Sequence, residues 1–291
     1  MAERQRRSDS HRRPPLPEPL PCGPEVHGGV VDNHTHLDHE VDDATVRGLL
    51  LAAARAGVPR SVQIGCDLEA ARWTVGAVER FAQLVGGVAI HPNEAPRLAA
   101  AGDLDSALAE IERLAVHPRV RVVGETGVDR FRTDYDDARA AAAQEESFRA
   151  HIEMAKRLDL PLQIHDRDGH DDVLRILADA GAPERTVFHC FSGDAEMARL
   201  CASRGWYLSF AGVLTFANAG ALRDALRATP LEQVLVETDA PYLTPVPYRG
   251  RPNAGYLVPH TVRAVAAVLD RPVEAVVAVV ARTSDQLYGP W

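Results

Sequence analysis

From Val30 onward the chain alternates between two kinds of segment. Short apolar runs rich in β-branched residues cover 30–36, 61–65, 84–91, 120–124, 160–165, 186–190, 206–210 and 234–238. They are bounded by polar or turn-forming residues and read as strands buried on both faces. Between them lie Ala-, Leu- and Arg-rich stretches with apolar residues three to four apart, such as 43–56, 103–116, 138–158, 171–180 and 196–203. These read as helices, the last closed by Gly205. After the eighth strand, 259–269 and 273–287 continue the helical pattern.

Eight strands alternating with helices predict an α/β chain folded as a (β/α)₈ TIM barrel. A doubly wound sheet would carry a glycine-rich phosphate turn after an early strand, and none is visible. The barrel makes a second prediction: the chemistry belongs at the C-terminal ends of the strands, where the βα loops gather. Strand one ends in His34-Thr35-His36, and residues two apart in a strand share a face, so both imidazoles can reach one ion. Strand three ends in His91-Pro92 and strand four in Gly124-Glu125-Thr126-Gly127-Val128-Asp129. Strand five ends in His165-Asp166-Arg167, strand six in His189-Cys190 and strand eight in Glu237-Thr238-Asp239. Each alone is an ordinary polar strand end. Together they predict a metal site on one rim.

That many imidazoles and carboxylates exceed what one tetrahedral ion needs, so two divalent ions are expected. A pair of ions needs a bridging group. The only lysine, Lys156, lies inside a predicted helix and cannot serve as a carboxylated bridge. The bridge is therefore a carboxylate, and Glu125 is the best placed.

With these residues assembled, the chain closely resembles the TatD family of metal-dependent hydrolases, within the amidohydrolase superfamily. The resemblance runs through Asp32-Asn33-His34-Thr35-His36-Leu37-Asp38, Gly124 to Asp129, Leu160-Pro161-Leu162-Gln163-Ile164-His165 and His189-Cys190-Phe191-Ser192-Gly193. Tyr207-Leu208-Ser209-Phe210-Ala211-Gly212 and Glu237-Thr238-Asp239-Ala240-Pro241-Tyr242-Leu243 extend it. It implies that His34, His36, Glu125 and Asp239 hold one ion, and Glu125, His165 and His189 the other. It also implies an enzyme acting on ester bonds, a deoxyribonuclease of exonuclease type that cleaves phosphodiester bonds with metal-activated water. Asp239 is then the proton acceptor, and Glu125 shares in the catalytic centre. The alternative is another bond on the same site, such as a D-aminoacyl-tRNA ester or a cyclic amide. One departure stands out: where the family tends to carry Arg-Asn-Glu-Pro, this chain has Arg251-Pro252-Asn253-Ala254-Gly255.

Around this centre, His91, Arg249 and Arg251 are candidate substrate contacts, with Arg167 a further phosphate clamp. Asp129 and Asp166 are candidates to orient ligand histidines, with helix capping the other reading of Asp166. Trp206 and Phe210 are expected in the barrel packing. The metal could be Zn, Mg, Mn or a similar ion, since the donors are His and carboxylate.

Composition narrows the partners. A formal net charge of −9 over 291 residues gives no fold-wide attraction for a polyanion, so DNA, the expected substrate, must be held locally. Four cysteines without C-x-x-C pairing suit reduced thiols in the cytoplasm. No apolar run is long enough to span a membrane, and no protein partner is implied. Residues 1–28, rich in Arg and Pro, read as a disordered leader; 29–291 read as the hydrolase barrel.

Overall fold

A computed structural model of the chain describes residues 12–21, 29–40, 42–134, 136–289 and 291. Among them are eight strands: β1 (Val31–Thr35), β2 (Arg60–Gly65), β3 (Leu84–Val88), β4 (Val120–Asp129), β5 (Leu162–Arg167), β6 (Thr186–Phe188), β7 (Tyr207–Phe210) and β8 (Val234–Val236). Ten α-helices accompany them: α1 (Asp43–Arg55), α2 (Leu68–Arg80), α3 (Ala95–Ala101), α4 (Leu104–Ala115), α5 (Ala138–Leu158), α6 (His170–Ala180), α7 (Ala195–Ser203), α8 (Gly220–Ala228), α9 (Val258–Leu269) and α10 (Val273–Tyr288). The strands follow one another in the sheet in chain order, β1 to β8. This is the (β/α)₈ barrel that the alternation predicts.

The helices begin where local chemistry favours it. Asp42, Asp67 and Asp137 each accept a backbone N–H in the first turn of α1, α2 and α5. Such caps satisfy donors that the helix itself leaves open. Strands β1, β3, β6 and β8 are buried at every position, as a parallel sheet covered on both faces requires. Several boundaries depart from the sequence pattern: β5 lies two residues later than expected, and β6 and β8 each stop two residues early. β3 stops at Val88, short of His91, and β4 runs on to Asp129 because its last residues, 126–129, pair with 164–167 of β5.

The chain divides into two compact units. The first contains the described residues of Met1–Val62, Gly193–Ala202 and Leu208–Gln286. Its core includes Val31, Leu235, Val236, Val262, Val265, Val276 and Val280. Here β8 runs on beside β1: Asp239 N–H donates to His34 O (3.0 Å) and His36 N–H to Ala240 O (2.8 Å). Residues 12–21, within the segment read as a leader, pack against this unit. Leu20 is 3% exposed and its N–H donates to Ala56 O, while Tyr256 Oη donates to Pro14 O. Arg263 donates to Glu18 O and Pro19 O. Residues 1–11 and 22–28 of that segment lie outside the described residues.

The second unit contains the described residues of Gln63–Ser192, Ser203–Tyr207 and Leu287–Trp291. Phe148, Phe188, Ile64, Leu84, Ile152 and Ile164 fill its core. Burying each such side chain contributes about 1.5–3 kcal/mol relative to exposure. Trp206 is tilted against Phe188, and in the first unit Phe210 is fully buried, so both aromatics serve packing. His151 of α5 is also buried, and burial pushes its pKa down to about 4. Its neutral ring donates from Nδ1 to Ser147 O and accepts the Ile90 N–H at Nε2, which fixes the chain just past β3. Gly127 of β4 has φ +143, and a Cβ there would strike the carbonyl of His165. The glycine lets β4 and β5 approach at the position that carries a candidate ligand.

The departing segment after β8 has a structural role. Asn253 is 1% exposed; its Nδ2 donates to Thr238 O (2.9 Å) and Tyr242 O (2.6 Å), on either side of Asp239 to Pro241. Asn253→Ala would strand two carbonyls of that loop. The expected cost is about 1–3 kcal/mol, read as a lower denaturant midpoint in an equilibrium unfolding titration; an unchanged midpoint would show that the loop holds itself.

Candidate metal centre

In the first unit the donors come from β1 and the end of β8. His34 Nε2 and His36 Nε2 lie 3.1 Å apart. Asp239 Oδ1 is 3.4 Å from His36 Nε2 and 3.8 Å from His34 Nε2. Four ligands about 2.1 Å from a zinc-sized ion stand about 3.4 Å from one another, so these three donors have the separations of a coordination shell. Asp239 sits at φ 53. This left-handed conformation suits Asp and Asn better than most residues.

A fully buried network supports this end of β1. Asp32 accepts from Thr238 N–H (2.8 Å) and Thr238 Oγ1–H (2.7 Å). Burial, with the neighbouring Glu237 carboxylate, raises the Asp32 pKa to about 7 against those hydrogen bonds. Asn33 donates to Val236 O and accepts from Ser284 Oγ. Both strand ends are thereby tied to each other before any ligand arrives.

In the second unit the donors surround Glu125, which is 4% exposed. Its Oε2 lies 2.7 Å from His189 Nε2, 2.9 Å from His165 Nδ1 and 3.9 Å from His91 Nε2. Its Oε1 accepts from the Cys66 thiol at 3.2 Å. His165 also presents Nε2 to Asp129 Oδ2 at 3.2 Å. Burial opposes a charge on His165, but hydrogen bonds to Asp129 and Glu125 outweigh it and hold its pKa above the ordinary value. Asp129 is buried too, yet the His165 hydrogen bond and the Arg132 N–H hold its carboxyl well below the usual range. A carboxylate on one imidazole nitrogen is the usual support for a ligand that faces an ion through the other. Asp129 thus does for His165 what the sequence suggests.

His91 behaves differently from His165. Burial, with the neighbouring His165 ring, pushes its pKa down to about 3, so it is neutral. Its Nδ1 accepts the Asn93 N–H, which leaves the ring proton on Nε2. That nitrogen faces Glu125 as a donor.

The other expected residues are placed as follows. Asp166 accepts from Gly169 N–H and pairs with His170 at 2.8 Å, so it shapes the start of α6 rather than a ligand histidine. Lys156 pairs with Glu153 and the Ala180 carbonyl. Arg249 stacks over Phe216 at 4.0 Å, Arg251 lies 5.8 Å from the Tyr248 ring, and Arg167 stacks over Phe131 at 4.0 Å. Cys66, just past β2, is the donor that sequence reading passed over. Its signal was present, since Ile64-Gly65-Cys66 is a strand end like the others.

Two histidine–carboxylate groups at strand ends of a (β/α)₈ barrel define a metal-dependent hydrolase. The comparisons say which kind. A family profile described as TatD related DNase matches residues 31–289. An uncharacterised metal-dependent hydrolase TatD of Mycobacterium tuberculosis is 46% identical, over 89% of this chain and 98% of that protein. The metal-dependent hydrolase YabD of Bacillus subtilis is 31% identical over the same shares. The crystal structure of the TatD homologue YJJV from Escherichia coli superposes with a TM-score of 0.81 at 24% identity, covering 90% of this chain and 98% of that one. This chain belongs to the TatD family. Among the described residues, no helix is long and apolar enough to cross a membrane.

His165 carries carboxylates at both nitrogens and must lose the Nδ1 proton for an ion to take that place. Metal loading should therefore release protons, and affinity should fall as pH drops through the raised His165 pKa. Calorimetric titration in buffers of different ionisation enthalpy measures both, and loading without proton release would contradict the arrangement. Asp129→Asn should weaken metal affinity by about 10- to 100-fold, read in the same titration.

Proposed function

We propose that this chain is a two-metal phosphodiesterase that acts on DNA. The observation that carries the reading is a pair of donor groups, one in each unit: His34, His36 and Asp239 in the first, and His91, Glu125 and His165 in the second, the ligand atoms of each within 4.8 Å of one another, with His189 against Glu125. His34, His36 and Asp239 would hold one ion; His165, His189 and Glu125 would hold the other. The family resemblance also shares Glu125 with the first. The donor chemistry fits a borderline-to-hard divalent ion. Such an ion makes water acidic enough to ionise near neutral pH and offsets charge on phosphate oxygens.

The protein's own part is positioning and proton transfer. Asp239 faces His34 and His36 through Oδ1 and accepts the proton of the attacking water at its second oxygen. That water forms the new P–O bond as the ester P–O bond breaks, and the leaving alkoxide takes a proton from solvent water to depart as the alcohol. His91 donates from Nε2 to a phosphate oxygen. Arg249 and Arg251, on the loop after β8, clamp neighbouring phosphates, which supplies locally the positive charge that a chain of net charge −9 lacks overall.

Asp239→Asn tests the proton step with little disturbance, because Asn tolerates the same left-handed backbone. Turnover should fall by at least about 10²- to 10⁴-fold with unchanged circular dichroism; full turnover would remove Asp239 from the step. EDTA should stop hydrolysis, and added Mg²⁺, Mn²⁺ or Zn²⁺ should restore it. Labelled single-stranded DNA and D-aminoacyl-tRNA, assayed side by side across those ions, identify the bond. Release of the amino acid with intact DNA would overturn the nuclease assignment.

A further inference from the structure

Arg130, Phe131 and Arg132 follow β4 directly, and Phe131 is 63% exposed, the second most exposed large hydrophobic side chain among the described residues. Its position is not loose. The Asp129 carboxylate accepts the N–H of Phe131 (2.9 Å) and of Arg132 (2.7 Å) at Oδ1, while its Oδ2 faces His165. Arg130 N–H donates to Arg167 O, and Asp129 lies opposite Arg167 in the β4–β5 register. One buried carboxylate therefore sets both a metal-facing imidazole and the loop that presents an aromatic ring to solvent.

Several exposed arginines of this unit are matched with acids: Arg72 with Glu110, Arg149 and Arg175 with Glu145, Arg157 with Glu112. Arg167 stacks on Phe131 at 4.0 Å and, among the described residues, meets no carboxylate. Stacking fixes the plane of a guanidinium without using its N–H donors, which stay available for a bidentate acceptor such as phosphate. An exposed ring beside such a cation offers a base a π-surface and its phosphate a fork.

We propose that Phe131 and Arg167 form a nucleotide-binding platform, Phe131 stacking on an unpaired base and Arg167 holding the adjoining phosphate. The assignment rests on the DNA reading above and deepens it. It makes the preferred substrate single-stranded, because a paired base has no free face to offer, and it makes binding tolerant of sequence, since every base has a π-face.

The test is fluorescence anisotropy with the full chain loaded with Mn²⁺. The probes are an end-labelled oligothymidylate and an abasic oligonucleotide of equal length, both phosphorothioate-linked so that they survive the measurement. Phe131→Ala should weaken binding of the thymidylate by about 5- to 150-fold and leave the abasic strand unchanged, while Phe131→Trp keeps wild-type affinity. Arg167→Ala should weaken both. Equal affinity of the wild type for the two probes, or a Phe131→Ala effect that is absent or the same on both, would overturn the platform. Cleavage of an ordinary oligothymidylate is followed separately. Phe131-dependent binding without cleavage would sink the nuclease reading and leave the platform standing. Cleavage with Phe131-independent binding would sink the platform alone.

Discussion

A buried carboxylate is tolerated only where its charge is met, and the site depends on how Glu125 is met. Removing such a group from water costs several kcal/mol when it has no partner. Here the groups that close on it are the His91, His165 and His189 imidazoles, carried by β5 and by the loops after β3 and β6, and the Cys66 thiol just past β2. These are donors that a divalent ion can join. The arrangement brings ligands together at a position where a purely structural core would place hydrocarbon. The fold around it is correspondingly specific: Gly127 admits β5, and His151 fixes the chain that leads to His91.

The same logic organises the other donor group at a different level of burial. His34 is fully buried and Asp239 lies nearer solvent, with its side chain 16% exposed. The proton transfer proposed for Asp239 requires such an edge, where water can reach the carboxylate. The loop that carries it is braced by Asn253, in the segment where this chain departs from the family pattern. The departing segment therefore holds the backbone on either side of Asp239 to Pro241. A family can keep its chemistry and vary its substrates by this route, because ligands sit on strand ends and recognition sits on the loops beyond them.

Asp129 joins the two levels. It supports His165 through one oxygen and the loop bearing Phe131 through the other. Changes at the rim and changes at the metal are thus not independent, and an effect on substrate affinity at this position carries an effect on metal affinity with it. The charge balance of the protein gives the same emphasis: with a net charge of −9, attraction for a polyanion has to come from a few cations placed beside the site.

The sequence alone determined the barrel and the rim on which its histidines and carboxylates gather, and it named six residues as candidate ligands there. It could do so because strand burial, helix periodicity and the two-residue repeat of His34 and His36 are local properties, and because barrel topology brings all strand ends to one side. The extents of α5, β2 and β7 are legible within a residue for the same reason. What lay beyond it was everything that depends on two side chains from separate loops meeting at hydrogen-bond distance. Cys66 beside Glu125, the divided role of Asp129, the brace at Asn253, the neutral tautomer of His91 and the stack of Arg167 on Phe131 have no periodicity to reveal them. Nor did composition show that residues 12–21 lie against the first unit, because a proline-rich segment held by Tyr256 and Arg263 looks the same in sequence as one held by nothing. Those pairings are set by tertiary distance, and only the folded chain decides them.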